Sequence, residues 1–187
     1  MKLLSYFSGI GNSYILGPDS GGEAILVDPS EFDVTLVDLV ESNSFNISTV
    51  LFTHSHEHHI RGLRVLKKIY DVRIISGNKE IGGFESELAD KGERIEASGY
   101  IIETLDLEEL LEGIRIFRIE SLLFTGTLLS AGRIEAVIPS EKRALLAKSI
   151  QKKITEISKE VLILPSYGPP STADAELRWN SDFHPQY

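Results

Sequence analysis

There is no cysteine in this chain of 187 residues. Disulfides and thiolate metal sites are therefore excluded, and a reducing cytoplasm is the expected location. Long hydrophobic runs are missing as well. None approaches the ~20 residues that a membrane-spanning helix needs, and the opening "MKLLSYFSGI" lacks the sustained apolar core of a secretory leader. No membrane association is expected. Positive charge is in short supply: 19 Lys and Arg stand against 28 Asp and Glu, a net charge of −9. Binding to a phosphate backbone is driven by Lys and Arg, so no nucleic-acid partner is expected. What remains is a 42% hydrophobic chain of ordinary globular composition. Its length suits one domain, residues 1–187.

The order of elements carries the first structural information. "KLLSYF" and "NSYILG" read as short strands, with "PDSGG" as a hairpin turn before a third, buried strand "EAILVD". "PSEFDVTLVDLVES" has helical spacing, with Ser30 as its cap and Phe32, Leu36, Val37 and Val40 on one face. "NISTVLF" is a strand, and a helix follows from His58 or His59 with Ile60, Leu63, Leu66 and Ile69 as its apolar face. "VRIIS" is a strand, and a short helix is expected around residues 81–88. From residue 93 the pattern turns to strands: "RIEA", "YIIETL", "IRIFRI" and "LLFTGTLL". A long helix capped by Ser140 then presents Leu146, Ile150, Ile154, Ile157 and Val161. "VLILP", a loop "SYGPPS" and a C-terminal helix over residues 173–179 complete the chain. Two successive halves, each β then α, predict sheets packed together with helices outside.

Only five histidines are present, yet four of them fall within "THSHEHH". His54 and His56 are spaced i, i+2 at the end of a strand, which points both rings the same way. His58 and His59 follow across the strand-to-helix junction. Neutral imidazoles are ligands for Zn²⁺ and similar ions, and three or four donors in tetrahedral array make a site. One turn here supplies two or three, with water filling the rest. The plainer alternative is a solvent-facing loop that happens to be rich in His. Four imidazoles clustered at the carboxyl end of a strand argue against it, because such clusters rarely serve packing alone. His184 stands in a polar tail with nothing of ligand spacing nearby and is read as an exposed surface residue.

At these residues the sequence resembles the metallo-β-lactamase superfamily, most of all its small glyoxalase-II-type members. "THSHEHH" is similar to the family's T-H-x-H-x-D-H, and "LVDPS" to L-V-D-P-G. "LLFTGTLLSAGR" is similar to L-F-T-G-D-T-L-F…G-R. "ILPSYGPPS", with Glu176 and Asn180 behind it, resembles I-L-P-G-H-G-P and its trailing E-x-x-x-N-P. The echoes keep the family's order. The resemblance implies an α/β four-layer αββα sandwich with a metal site at one edge, between the sheets. It implies that two metal ions activate a hydroxide for hydrolysis of ester, thioester, amide or similar bonds.

Carried across residue by residue, His54 and His56 match ligands of the family's first metal, and His59 a ligand of the second. Other positions depart from the pattern. The motif's Asp is His58, the bridging Asp is Thr127, and the His of P-G-H-G-P is Tyr167. A further ligand-bearing segment, T-P-G-H-T-x-G, is absent between "IRIFRI" and "ESLLFTG". Two nearby dications repel strongly, and the replacements bring no negative charge in their ordinary forms. The expectation is therefore at most one divalent metal, zinc first, with iron or manganese as alternatives, on His54, His56 and either His58 or His59. A second metal is not expected. Asp28, Thr127 and Tyr167 are the remaining candidates for lining the site. Asp28 is read as orienting the turn, Thr127 as strand or turn, and Tyr167 as packing or hydrogen bonding. Arg133 could hold an anion but is read as solvated or ion-paired. Two functions stay open: a superfamily member that has lost two-metal hydrolysis and keeps the scaffold for a small-molecule ligand or partner, and a single-metal hydrolase. A nucleic-acid-processing member is a poor third, because such members carry an extra domain and the charge is wrong.

Overall fold

The computed structural model describes residues 1–107, 112–135 and 139–184. The first half builds one sheet. β1 (Lys2–Phe7), β2 (Asn12–Gly17) and β3 (Gly22–Val27) form an antiparallel meander. The chain then crosses through α1 (Val34–Ser42) to β4 (Phe45–Phe52), and through α2 (Glu57–Leu66) to β5 (Arg73–Ser76). Both crossovers give parallel neighbours, which is what an intervening helix permits. A small hairpin of β6 (Glu80–Ile81) and β7 (Phe84–Glu85) precedes β8 (Glu87–Leu88), the edge strand beside β5.

The second sheet is assembled from β9 (Arg94–Ala97), β10 (Tyr100–Thr104), β11 (Phe117–Ile119) and β12 (Leu122–Gly126). A two-stranded ribbon of β13 (Leu129–Ser130) and β14 (Arg133–Ile134) follows. α3 (Ser140–Thr155) returns the chain to β15 (Leu162–Pro165), parallel to β12, and β16 (Ser171–Thr172) and α4 (Ala173–Trp179) end it. No helix among the described residues is long and apolar enough to cross a membrane.

Three apolar layers show why the strands read as continuous hydrophobic runs. Ile15, Leu26, Val50 and Phe52 face α1 and α2, where they meet Leu36, Val40, Leu63 and Leu66. Their strand neighbours Tyr14, Leu16, Ile25, Val27 and Leu51 point the other way. There they pack on Ile102, Phe117, Ile119, Phe124 and Leu164 of the second sheet. Leu123 and Ile163 face outward again onto Leu146, Ile150 and Ile154 of α3. Strands buried on both faces lose the polar alternation of a surface sheet. The result is helix, sheet, sheet, helix: the four-layer αββα sandwich.

Several local expectations change. Asp33, not Ser30, caps α1, its carboxylate accepting from the Leu36 amide. The helix accordingly starts three residues later than the cap at Ser30 implied. α2 begins at Glu57, a residue before His58, and Ile69 lies beyond its end and is exposed. Residues 81–88 form the β6–β7 hairpin and β8 in place of a helix. Gly82 and Gly83 both adopt positive φ there, which turns the chain sharply instead of winding it. Pro139 occupies the cap position of α3, and Ser140 is its first helical residue. Ile157 and Val161 follow that helix rather than extend its stripe.

Candidate metal centre

The carboxyl ends of β3, β4, β12 and β15 meet at one edge of the sandwich, two from each sheet. Asp28 follows β3, Thr53 and His54 follow β4, Thr127 follows β12, and Ser166 and Tyr167 follow β15. Ligand sites of open α/β sheets form in such crevices beyond strand carboxyl ends. The approach is tight. A Cβ on Gly126, which has φ +60°, would fall 2.3 Å from Thr53 Oγ1 and 3.2 Å from His54 Nδ1. Only glycine fits there.

Asp28 organises the floor of the site. It is 2% exposed and takes a left-handed φ of 48°, a conformation Asp tolerates better than most residues. Its Oδ1 accepts the Thr53 amide at 2.8 Å. Its Oδ2 accepts the hydroxyls of Thr53 and Ser166, each at 2.6 Å. One carboxylate thus ties both sheets together. Neither Thr53 nor Ser166 stood out as a functional residue in the sequence, although each adjoins one that did.

This arrangement decides a proton position. The Thr53 hydroxyl has one proton, and a carboxylate can only accept, so that proton points at Asp28. Thr53 Oγ1 also lies 2.7 Å from His54 Nδ1. His54 Nδ1 must therefore donate, which leaves Nε2 as a lone pair aimed away from Asp28. His59 Nε2 lies 3.1 Å from it. Two ligands on one ion, each ~2.0–2.1 Å away, stand about 2.9–3.4 Å apart. The separation suits a shared cation as well as an N–H···N bond. His59 Nδ1 is buried with no hydrogen-bond partner among the described residues.

The remaining members stand nearer the surface. The chain bends after β4, so His54 turns inward while His56 stays exposed at the start of α2; their rings are 4.5 Å apart. His58 is half-buried, with its ring 4.2 Å from that of His59. The Tyr167 phenol joins the outer pair, its oxygen 3.0 Å from His58 Nε2 and 3.3 Å from His56 Nδ1. Four histidines that the sequence grouped, and the tyrosine far along the chain, form one cluster. Thr127 and Tyr167 do line the adjoining cleft, a cavity of about 900 Å³ that also takes in His56, Ser130, Arg133 and Glu135. Arg133 is ion-paired with Glu135 at 2.5 Å. Asp28 lies beneath the cluster instead of facing the cleft. His184 is remote from it, its Nε2 2.7 Å from the Leu177 carbonyl.

Burial sets the charge state. Desolvation pushes the His59 imidazole down to about 3, with Asp28 opposing only in part. Desolvation likewise lowers His54 and His58. Neutral imidazole is the form that binds metal. The Tyr167 phenol is raised, first by burial and then by the Asp28 charge. Among the described residues, Asp28, His54 and His59 offer ligand atoms that lie within 4.8 Å of one another. Asp28 already accepts three hydrogen bonds and lies 3.9 Å from His54 on the Nδ1 side. It orients His54, as outer carboxylates orient metal-bound imidazoles, and is not a ligand in the site as it stands.

The fold matches known proteins. The model of the metallo-beta-lactamase superfamily matches residues 7–146. The chain belongs to that superfamily. It is 28% identical over 160 residues to a Treponema pallidum protein, covering 86% of this chain and 85% of that one. It is 27% identical over 123 residues to the hydroxyacylglutathione hydrolase of Haemophilus ducreyi, covering 65% of this chain and 52% of that enzyme. Its likeness is thus of the glyoxalase-II type, across about half of the enzyme's length. The crystal structure of ETHE1 from Myxococcus xanthus superposes with a TM-score of 0.80 at 16% identity, over 98% of this chain and 88% of that one. β11 and β12 are joined by Glu120 and Ser121 alone.

Proposed function

We propose that this superfamily member holds at most one divalent metal, on His54 and His59 with exposed His56 turning in as the third imidazole, and does not carry out two-metal hydrolysis. Zinc is the first candidate, and iron and manganese suit the same imidazoles. The observation that carries the reading is Tyr167. Where the family pattern has the histidine of P-G-H-G-P, a phenol lies against His56 and His58. Thr127 and His58 replace the two carboxylates of the pattern, so the side chains at those matched positions are neutral. Two dications ~3.5–4 Å apart repel by on the order of 15–20 kcal/mol at an effective dielectric of 20. Neutral donors do little to offset that. One cation on three neutral imidazoles meets no such barrier, and Asp28 behind His54 balances part of its charge.

A second reading has its own support. The cleft of about 900 Å³ beside His56 is large enough for a small-molecule substrate. A single metal could there polarise a carbonyl and acidify a bound water, which is the chemistry the ion supplies in hydrolases. The two readings part in one assay. Zinc-loaded protein is offered a panel of acyl thioesters and esters, with the His56→Ala variant as control. The first reading expects no turnover above that control. Turnover abolished by His56→Ala would establish the single-metal hydrolase instead.

A further inference from the structure

The cleft beside His56 has a lining of its own, apart from the imidazoles. Among the described residues, the Asp, Glu, Lys and Arg side chains that border it are Arg133 and Glu135, one of each sign. Thr127 and Ser130 add hydroxyls, and Ile114 and Pro169 add apolar surface. We propose that this cleft receives a neutral polyhydroxylated small molecule, a sugar or a similar polyol, bound by the Arg133–Glu135 pair and the two hydroxyls. The inference rests on the reading that the cleft holds a small molecule, and it is independent of the metal count.

Charge selects against ions. Arg133 Nε donates to Glu135 Oε1 at 2.5 Å, so the two charges stand side by side. A carboxylate drawn to the guanidinium meets the Glu135 charge next to it, and an ammonium drawn to Glu135 meets Arg133. A hydroxyl group meets no such conflict. It donates to a carboxylate and accepts from a guanidinium at the same time. The Nε–Oε1 contact leaves both Nη groups of Arg133 and Oε2 of Glu135 outside it. The pair is also solvent-exposed, at 64% and 30% of its side chains. Such pairs contribute little to stability, so a ligand that intrudes on this one displaces little.

The hydroxyls complement the pair. Ser130 is 6% exposed, and its proton goes to the Tyr167 carbonyl at 2.9 Å. Its oxygen is therefore left as an acceptor. Gly168 makes room for it: a Cβ there would fall 2.6 Å from Ser130 Oγ. The Thr127 hydroxyl has no hydrogen-bond partner among the described residues and is free to donate or accept. Donors and acceptors with Ile114 and Pro169 beside them match a ring that carries hydroxyls on its rim and C–H groups on its faces.

The wall that carries Ser130 and Arg133 is fixed from behind. The Glu176 carboxylate accepts the Gly132 amide at 3.2 Å, and the Ser181 amide donates to the Gly132 carbonyl at 2.8 Å. Asp182 accepts the Ile134 amide at 2.7 Å. The β13–β14 ribbon is thus tied to the C-terminal segment, and a preordered wall loses less freedom when a ligand binds.

The test uses the whole chain, freed of metal by a chelator so that no cation adds to the charge of the cleft. Glucose, galactose and mannose are titrated into nitrogen-15-labelled protein, each beside its uronate and its protonated amino-sugar analogue. The expected result is that at least one neutral sugar shifts the Ser130 and Arg133 amides saturably and binds more tightly than both of its charged analogues. Glu135→Gln should turn the preference towards the uronate, and Arg133→Met towards the amino sugar. Each should weaken the neutral sugar by about tenfold, the loss of one hydrogen bond to a charged group. No saturable shift with any neutral sugar overturns the proposal. A native protein that prefers a charged analogue overturns it too, as does a preference that both variants leave unchanged. If a variant fails to fold, the native order of affinities decides alone. Turnover of acyl thioesters in a cleft that binds no sugar would sink this inference and leave the hydrolase reading standing.

Discussion

Replacing Asp28 with Asn tests the proton arrangement of the centre with almost no change in shape. The amide oxygen must take the Oδ1 position, because the Thr53 backbone N–H cannot turn away and needs an acceptor. The NH₂ group then falls at Oδ2, against the hydroxyls of Thr53 and Ser166. Both hydroxyls must now accept, so the Thr53 proton has to point elsewhere. His54 Nδ1, 2.7 Å away, is the acceptor within reach. The substitution therefore moves the His54 proton from Nδ1 to Nε2 and removes the lone pair that faces His59. Two charge-assisted hydrogen bonds from hydroxyls are lost and replaced by neutral ones, a net cost of about 1–3 kcal/mol in stability. Loss of an orienting partner outside a metal site reduces affinity by roughly 10–100-fold. Nitrogen-15 spectra of the imidazoles, recorded on metal-free protein, report the tautomer, and zinc titration reports the affinity. His54 still protonated at Nδ1 in Asp28→Asn, with unchanged zinc affinity, would refute the reasoning.

Further outcomes follow from the same contacts. Gly126→Ala forces a Cβ into Thr53 and requires a positive φ of 60°; it should cost about 2–4 kcal/mol in denaturant unfolding and weaken metal binding together with stability. His59 is neutral when folded down to about 3 but protonates near its ordinary 6.5 when unfolded. The unfolded state thus binds the extra proton, and stability must fall as pH drops below 6.5, by up to about 1.4 kcal/mol per pH unit from this group. Denaturant midpoints between pH 6.5 and 5 should show that slope in metal-free native protein and a shallower one in His59→Asn; identical slopes would contradict it. Arg143 makes a forked ion pair with Asp182 that also holds the Ile134 amide. Asp182→Ala should cost about 1–3 kcal/mol by thermal unfolding, mostly through the orphaned amide and guanidinium.

The layer order was legible because strands buried on both faces and amphipathic helices leave different periodicities, and the parallel crossovers each need a helix. The boundaries were less so. Ser30 and Asp33 both have capping side chains, and only the fold shows that Ser30 is turned into the interior with its amide on Ser13. The pair Gly82 and Gly83 weakens a helix in any reading, yet the apolar residues around it mimic helical spacing at short range. At the site, "THSHEHH" stood out through residue type alone. The roles of Thr53 and Ser166 were hidden because their meaning comes from Asp28, which approaches from another strand. Tyr167 was named as a departure from a pattern. That its oxygen reaches both His56 and His58 comes from the carboxyl ends of β4 and β15, in different sheets, meeting at one edge of the sandwich, not from local sequence.

The central claim, that the centre accepts one cation and no pair, is tested most directly by elemental analysis of untagged protein isolated without added metal, then repeated after saturation with zinc. The account predicts no more than one equivalent per chain in either state. Two equivalents per chain at saturation, seen in a crystal as two ions beside the imidazoles, would contradict it.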